Sequence, residues 1–521
     1  MWHIKVMNLS SPPGPVAVVG ASGYIGGRLV PALLSAGYRV RAISRSQDKL
    51  LGRPFSNHPG LETAQADALD QTSLEQALKG CSAVFDLAQP ANDHRETELL
   101  IRSNLARACG RNRVSRTIEL SWLVPGDRAM PGSSGMAAAS GTTPPPAGDA
   151  VPVTRLRASM IIGSGSLAFE TLRYLTQRLP IMLTPRWVSS HFQPIAVSDV
   201  LAYLLGCLEN DQTAGLDLDI GGPDVVTFKD LIDLYAREDN LPPRLAIRVP
   251  MCLPRLSAYW INLVTPIPAP YARPLVESLA RDNLLTDTRI QELMPMDLTP
   301  VSQAVSVAVE QTRSQNIATC WSDAGEIIPP EWLKTGDAEF AGGDIFECNY
   351  SILLGCPPEE IWPVISSVGG ASGWFFSNIL WRIRGIMDRL VGGFGLSRGR
   401  RQQSVIRMGD ALDFWRVLKV EDNRELMLLA EMKVPGEAVL HFSLHPRSDG
   451  STELMQIARF LPRGLFGLVY WYGLAPSHSF LFKGMLRRIA RLAGCAVLKG
   501  PEKFEGGGAV CRLSDEEGAG S

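Results

Sequence analysis

Val16-Ala-Val-Val-Gly20-Ala-Ser22-Gly23-Tyr24-Ile25-Gly26-Gly-Arg-Leu-Val30 is the stretch that decides how the chain is read. An apolar, β-favouring run ends at Gly20, glycine recurs at 23 and 26, and helix-compatible residues continue to Leu34. The pattern reads as strand, tight turn, helix. In such a turn the backbone N–H groups at the helix N-terminus approach a pyrophosphate, and a side chain at any of the three glycines would obstruct that approach or the helix packing. The stretch predicts a dinucleotide site.

Working outward, the same alternation repeats. Tyr38–Ser44, Leu61–Ala66, Ala83–Leu87 and Thr117–Ser121 read as strands, with helices over Leu74–Lys79 and Glu96–Gly110. Strands alternating with helices at this spacing imply an α/β, doubly wound parallel sheet. From 125 to 150 the chain turns Gly/Pro/Ala/Ser-rich and loses helical periodicity, which predicts a mobile loop. Order resumes with a strand over Val153–Ile162 and helices over Leu167–Leu179, Val197–Leu208 and Phe228–Arg237, with a Gly-Gly-Pro turn at 221–223. A proline-punctuated helical region then runs to 313.

Beyond 314–340, read as a linker, the pattern changes. Phe346–Leu353 reads as a strand, Pro358–Val368 as a helix, and 414–420, 426–434, 439–445 and 453–460 as successive antiparallel strands before an apolar helix over 464–493. This is α+β. The expected organisation is therefore a lead over 1–14, a first domain over 15–313, a second over 341–500, and a disordered tail over 501–521. The 464–493 stretch is broken by Pro476, Ser477, His478 and Ser479 and followed by Lys483, Arg487, Arg488 and Arg491. It reads as a helix covering a curved sheet, with peripheral membrane contact as the alternative.

At 521 residues the chain exceeds one ordinary core. Lys plus Arg is 51 against 53 Asp plus Glu, a net charge of −2, so no nucleic-acid footprint is present. Nine cysteines lie scattered without a C-x-x-C pair, and no secretory signal pattern precedes the first strand. The expectation is reduced thiols in a cytoplasmic protein without a metal site. His441 and His445 test that last point: on a strand they share a face but lie roughly 13 Å apart, too far for one ion, so a solvated strand face is expected.

Gly20-Ala-Ser-Gly23-Tyr-Ile-Gly26 resembles the G-x-x-G-x-x-G fingerprint of the atypical and extended short-chain dehydrogenases, the group that includes NmrA-like NAD(P)-binding proteins. Pro194-Ile-Ala-Val-Ser-Asp199-Val200 and Gly221-Gly-Pro-Asp224 resemble that group's later landmarks, so the resemblance spans about 15–313. It implies a Rossmann-like fold and places the cofactor on Gly20, Ser22, Gly23, Tyr24, Ile25 and Gly26, on Ser44 and Arg45, on Asp67 at the adenine, and on Leu87-Ala88-Gln89 at the nicotinamide ribose. Arg45 stands where an NAD-preferring member carries an acid. A guanidinium there forks onto a 2′-phosphate, which selects NADP, with NAD as the alternative.

The catalytic position departs from the group. Its Tyr-x-x-x-Lys pair is absent: none of the ten tyrosines has a lysine four residues on, and no lysine lies between Lys79 and Lys229. The resemblance leaves Ser121 and Asn104 as catalytic candidates, with a proton supplied by water or His191, or no turnover at all. Cys356-Pro-Pro-Glu-Glu-Ile-Trp362 and the strands that follow resemble a helix-grip domain of the polyketide-cyclase, START and coenzyme-Q-binding type. That resemblance implies an apolar ligand between sheet and helix, lined by Trp362, Trp374, Trp381, Trp415, Tyr470, Trp471 and Tyr472. The expected function is an NADP(H)-dependent oxidoreductase acting on a hydrophobic, quinone- or lipid-like substrate, at the inner face of the membrane if it touches one. The rival is a non-catalytic NADP(H) sensor or chaperone.

Overall fold

A computed structural model describes residues 14–88, 95–123, 151–248, 254–314, 316–324, 330–333, 345–390, 400 and 405–504. The expected lead up to residue 13, Gln89, the 125–150 loop, residues 315, 325–329 and 334–340 of the expected linker, and the tail past 504 lie outside the described residues. The chain divides into two units, Met1–Glu326 and Ile327–Ser521.

The first unit opens with β1 (Val16–Val19), whose four side chains are all buried because the strand is covered on both faces. It is followed by α1 (Gly26–Ser35), β2 (Val40–Ser44), α2 (Asp48–Leu51), β3 (Leu61–Gln65), α3 (Gln71–Ala77), β4 (Ala83–Asp86), α4 (Arg95–Arg111) and β5 (Arg116–Trp122). Next come β6 (Val153–Ala158), β7 (Ile161–Ile162), α5 (Leu167–Arg178), β8 (Ile181–Thr184), β9 (His191–Phe192), β10 (Ile195–Ala196), α6 (Val197–Glu209) and β11 (Asp217–Ile220). The unit ends with β12 (Val226–Thr227), α7 (Phe228–Glu238), β13 (Leu245–Arg248), α8 (Pro254–Val264), α9 (Ala269–Ser278), α10 (Arg289–Leu293) and α11 (Val301–Arg313).

Seven strands form one parallel sheet in the order β11-β6-β5-β4-β1-β2-β3. The order reverses between β1 and β4, and ligands of such sheets bind in the crevice at that reversal, beyond the carboxyl ends of the strands. Gly20 follows β1 and Leu87 follows β4, so both stand at this crevice. The expected strand over 153–162 is two strands: β6 stays in the main sheet, while β7 leaves it to pair with β10. Two landmark acids pin the second half. Buried Asp199 accepts from Thr299 N–H at 2.7 Å, and Asp224 accepts from Val301 N–H at 2.7 Å, at the start of α11.

The second unit holds β14 (Phe346–Leu354), α12 (Pro358–Ile365), α13 (Asn378–Leu390), β15 (Ala411–Leu412), β16 (Trp415–Glu421), β17 (Glu425–Ala430), β18 (Gly436–Pro446), β19 (Thr452–Pro462), α14 (Gly464–Leu492) and β20 (Val497–Lys503). Its seven strands form an antiparallel sheet in the order β15-β16-β17-β18-β19-β14-β20. Leu440, Phe442, Leu454 and Phe460 alternate onto one face, where Phe482, Met485, Leu486 and Ile489 of α14 complete a helix-on-sheet core. Residues 501–503, expected in a disordered tail, belong to β20.

Three expectations are corrected here. Cys356 and Cys495 form a disulfide, tying the chain two residues before α12 to the chain three residues past α14, so these thiols are not reduced. His441 is not on a solvated face. It is 2 % exposed and sits 2.8 Å from the Glu425 carboxylate, which also takes Lys419 at 2.7 Å. Residues 316–323, expected in a linker, pack onto the first unit, as described below.

Candidate functional site

The turn after β1 is shaped by backbone crowding. Gly20 has φ +83°, and a Cβ on it would lie 2.8 Å from the Leu87 carbonyl oxygen. A Cβ on Gly26 would lie 2.3 Å from the Gly20 carbonyl oxygen, so only glycine lets α1 start this close to the strand. Gly20 and Ala21 N–H donate to Ile43 O, and Gly23 N–H donates to Gly20 O at 3.0 Å. The N–H groups of Ser22, Tyr24, Ile25 and Gly26 make no hydrogen bond among the described residues. No side chain caps α1, and no acid occupies its first turn. A positive helix end with four free donors and glycine-only clearance fits the pyrophosphate of a dinucleotide.

The adenosine side assembles at the ends of β2 and β3. Buried Ser44 donates its hydroxyl to Ser22 Oγ at 3.0 Å, joining the glycine turn to the end of β2. Arg45 follows, and its backbone carbonyl accepts from Gln65 Nε2 at 2.9 Å. Its guanidinium has no hydrogen bond or ion pair among the described residues. Asp67 Oδ1 accepts from Leu69 N–H at 3.0 Å. Asn104 donates Nδ2 to the carbonyls of Ala68 and Leu69, at 3.2 and 2.9 Å. Asn104 thus holds the Asp67 loop, and its amide N–H groups are spent there rather than at Ser121.

Sequence reasoning missed what lies beneath the turn. Thr319 donates its hydroxyl to Tyr24 O at 2.7 Å, and Trp321 N–H donates to Gly165 O at 2.8 Å. Arg53 donates to Ser22 O and pairs with Asp323 Oδ2, both at 3.0 Å, with Arg53 and Asp323 both buried. Buried Lys49 donates to Asp323 O at 3.2 Å. A segment some 300 residues away in sequence, 316–323, therefore buttresses the carbonyl side of the turn and leaves its N–H side free. Tyr24 fills the space above, its ring 4.9 Å from the Arg28 guanidinium, and burial pushes its phenol up to about 12.

At the ends of β4 and β5 the side chains are polar. Leu87 N–H donates to Val19 O at 3.1 Å, and Ala88 N–H donates to Asp86 Oδ1 at 3.1 Å. Asp86 lies in register with Glu119, both buried. Burial and the neighbouring Glu119 push the Asp86 carboxyl up to about 7. Glu119 pairs with Arg102 at 2.5 Å and with Arg155 at 3.1 Å. Ser121 is two residues further along β5, on the same face as Glu119, and half-buried. His191 is exposed and engaged by Asp282. Buried Asn283 donates to Leu123 O at 2.7 Å and to His191 O at 2.8 Å, linking the end of β5 to β9.

The second unit has its own candidate interior. Trp374 stacks on Phe414 at 6.0 Å and contacts Trp381 and Trp415, and its Nε1 donates to Asp413 at 2.9 Å. Trp362 is buried with Nε1 donating to Asp422 at 3.2 Å, and Trp471 packs on Phe460 and Phe346. Tyr470 lies on Phe460. Tyr472 is 64 % exposed, so it leaves the expected lining. Trp381 Nε1, Trp415 Nε1, Gln456 Oε1 and His478 Nδ1 are buried without a hydrogen-bond partner among the described residues. The one grouping of metal-type donors among them is Cys356, Glu360 and Cys495, whose two sulfurs are joined to each other.

Comparison with known proteins follows this division. Residues 20–140 match an NAD(P)H-binding family, and residues 341–485 match DUF2867, a family described as a protein of unknown function. Dihydroflavonol 4-reductase of Hordeum vulgare is 42 % identical over 82 residues, covering 15 % of this chain and 23 % of that protein. Cinnamoyl-CoA reductase 1 of Petunia hybrida is 39 % identical over 85 residues, covering 16 % of this chain and 26 % of that protein. The chain thus spans about a quarter of the length of the curated relatives it matches. Among solved structures, the triphenylmethane reductase of Citrobacter sp., complexed with NADP(H), is similar at 17 % identity and a TM-score of 0.43, over 56 % of this chain and 99 % of that one. Residues 20–140, with the glycine turn and the parallel sheet around it, thus belong to an NAD(P)H-binding domain, and residues 341–485 to a DUF2867 domain.

Proposed function

We propose that the chain is an NADP(H)-dependent oxidoreductase whose second unit handles a hydrophobic, quinone- or lipid-like substrate. The observation that carries the reading is the pairing of four N–H donors at the start of α1 with the Arg45 guanidinium at the end of β2, none of them hydrogen-bonded among the described residues. The N–H groups would hold the pyrophosphate, Arg45 would fork onto the 2′-phosphate, and Asp67, on the loop that Asn104 holds, would accept from the adenine amino group. A bound nicotinamide supplies the hydride chemistry. Ser121 offers its hydroxyl to a substrate oxygen, and the proton comes from water or His191 in place of the missing tyrosine. Trp381 Nε1, Trp415 Nε1, Gln456 Oε1 and His478 Nδ1, among the buried polar atoms of the second unit without a hydrogen-bond partner among the described residues, support a ligand that is apolar but carries a polar end, because buried polar groups are rarely left unpaired.

The second reading, a sensor that binds NADP(H) without turnover, is favoured by the absence of any Tyr-x-x-x-Lys pair in the sequence. One experiment separates the two. NADPH binding is measured by calorimetry, and NADPH oxidation is followed across a panel of quinones and aldehydes. Binding with oxidation supports the oxidoreductase. Binding without oxidation, together with cofactor-dependent hydrogen exchange in 341–500, supports the sensor, and no binding removes both.

A further inference from the structure

Helices α13 and α14 of the second unit each present an apolar stripe outward besides the side that faces the core. At about 100° per residue, Ile379, Ile383, Ile386 and Met387 of α13 share one narrow sector, and they are 49–67 % exposed. The opposite side of that helix carries buried Trp381 and Asp388. On α14, Leu465, Val469, Tyr472 and Phe480 share a sector in the same way and are 61–73 % exposed, with Phe466 beside them at 83 %. A surface helix of a water-soluble domain normally turns such a stripe inward. The two stripes adjoin: Arg384 lies over the Tyr470 ring at 5.3 Å, and Phe376, just before α13, packs on Phe480 at 5.1 Å.

Charge decides what this surface fits. The two helices carry seven Lys or Arg residues and a single acid, Asp388, which is fully buried and accepts from Lys433 N–H. Along α14 the sector that is apolar at its start becomes basic at its end, where Arg487 and Arg491 are exposed. On α13, Arg382 and Arg384 flank the apolar stripe on either side. Apolar and aromatic side chains bordered by basic ones form the pattern of a helix lying in a bilayer interface. No helix among the described residues is long and apolar enough to cross a membrane, so the pattern is that of lying on, not spanning. A two-fold contact with a second copy would set this basic surface against itself, which like-charge repulsion opposes.

We propose that the outward faces of α13 and α14 dock the protein onto an anionic phospholipid surface. Phe466 and Ile383 enter the headgroup boundary, and Arg487 and Arg491 pair with lipid phosphates. The docking stands on these two helices alone and holds whether or not the first unit turns over its cofactor.

The test is flotation of the full chain with vesicles of phosphatidylcholine alone and of phosphatidylcholine mixed with phosphatidylglycerol. Wild type floats with the anionic vesicles and is released by salt. Ile383→Glu/Phe466→Glu lowers the bound fraction by about tenfold or more. Arg487→Glu/Arg491→Glu weakens binding to anionic vesicles only. Both variants keep the wild-type melting temperature and NADPH affinity, since every substituted side chain is solvent-exposed. No flotation of wild type overturns the proposal. So does equal flotation of Ile383→Glu/Phe466→Glu, or a dimer seen by light scattering that this variant dissolves while wild type ignores vesicles.

Discussion

Asp323→Ala probes the contact between segment 316–323 and the glycine turn. Asp323 Oδ2 accepts from Arg53 at 3.0 Å and from Cys320 N–H at 2.8 Å, while Lys49 bonds its carbonyl. Arg53 is 7 % exposed and Asp323 4 %, so removing the carboxylate strands a buried guanidinium with Lys49 close by. Breaking a buried pair from one side costs about 3–5 kcal/mol, several times a surface pair, because the remaining charge stays desolvated. At the low end of about 2–4 °C per kcal/mol, as suits a unit this large, the first unit melts about 6–10 °C lower. Scanning calorimetry of the full chain reads this as a shift in one transition, with NADPH affinity falling in parallel as Arg53 loses its hold on Ser22 O. Arg53→Leu/Asp323→Leu, which removes both charges, recovers most of the loss. A loss below about 1 kcal/mol for Asp323→Ala would show the pair to be effectively solvated and refute the reasoning.

Other consequences follow from the same geometry. Gly20→Ala forces a side chain into φ +83° and against Leu87 O at 2.8 Å, a strain of at least about 1–2 kcal/mol, and should cut NADPH affinity by calorimetric titration more than it lowers the melting temperature. Asp86, raised to about 7 from 3.8 by burial and Glu119, contributes stability that is complete below pH 3.8 and lost as pH rises through 7. Asp86→Asn should flatten that fall in urea unfolding between pH 5 and 8, and an unchanged slope would contradict it. Glu425, lowered to about 2 from 4.5 by His441 and Lys419, acts in the opposite direction. Its contribution is present above pH 4.5 and lost as pH falls toward 2, so Glu425→Gln should reduce the acid sensitivity of the second unit. The Cys356–Cys495 bond closes 139 residues, for which loop-closure entropy sets an upper value of about 5 kcal/mol, so Cys495→Ser or a dithiol reductant should lower the melting of that unit.

Much of the fold was legible because periodicity carries it. The β1 run, the glycines at 20, 23 and 26, and the alternation through Ser121 follow from local sequence, as do the four central strands of the second sheet. Helix α13 carries a helical period in Ile379, Ile383, Ile386 and Met387, but the sequence does not say that this stripe faces outward while Trp381 is buried. Strand β20 was missed because Gly500 and Pro501 interrupt it, and its pairing with β14 is a tertiary fact. At the site, the glycine turn was readable from spacing, while Ser44 at the end of β2 came only with the family resemblance. Asn104 was placed at the chemistry, whereas its amide bonds two carbonyls of the Asp67 loop, a contact between residues about 35 apart. The Arg53–Asp323 pair spans 270 residues and leaves no sequence pattern. Buried His441 was misjudged because alternation gives a face without saying what covers it.

The central claim is that the glycine turn and Arg45 together hold NADP(H). Calorimetric titration of wild type and Arg45→Ala with NADP, NADPH and NAD tests it most directly. Bonds from a guanidinium to a charged phosphate contribute about 1.5–3 kcal/mol, so NADP and NADPH should bind wild type at least about tenfold more tightly than NAD. That preference should vanish in Arg45→Ala while NAD affinity stays the same. Equal affinity of wild type for NAD and NADP, or a preference that survives Arg45→Ala, would contradict the account.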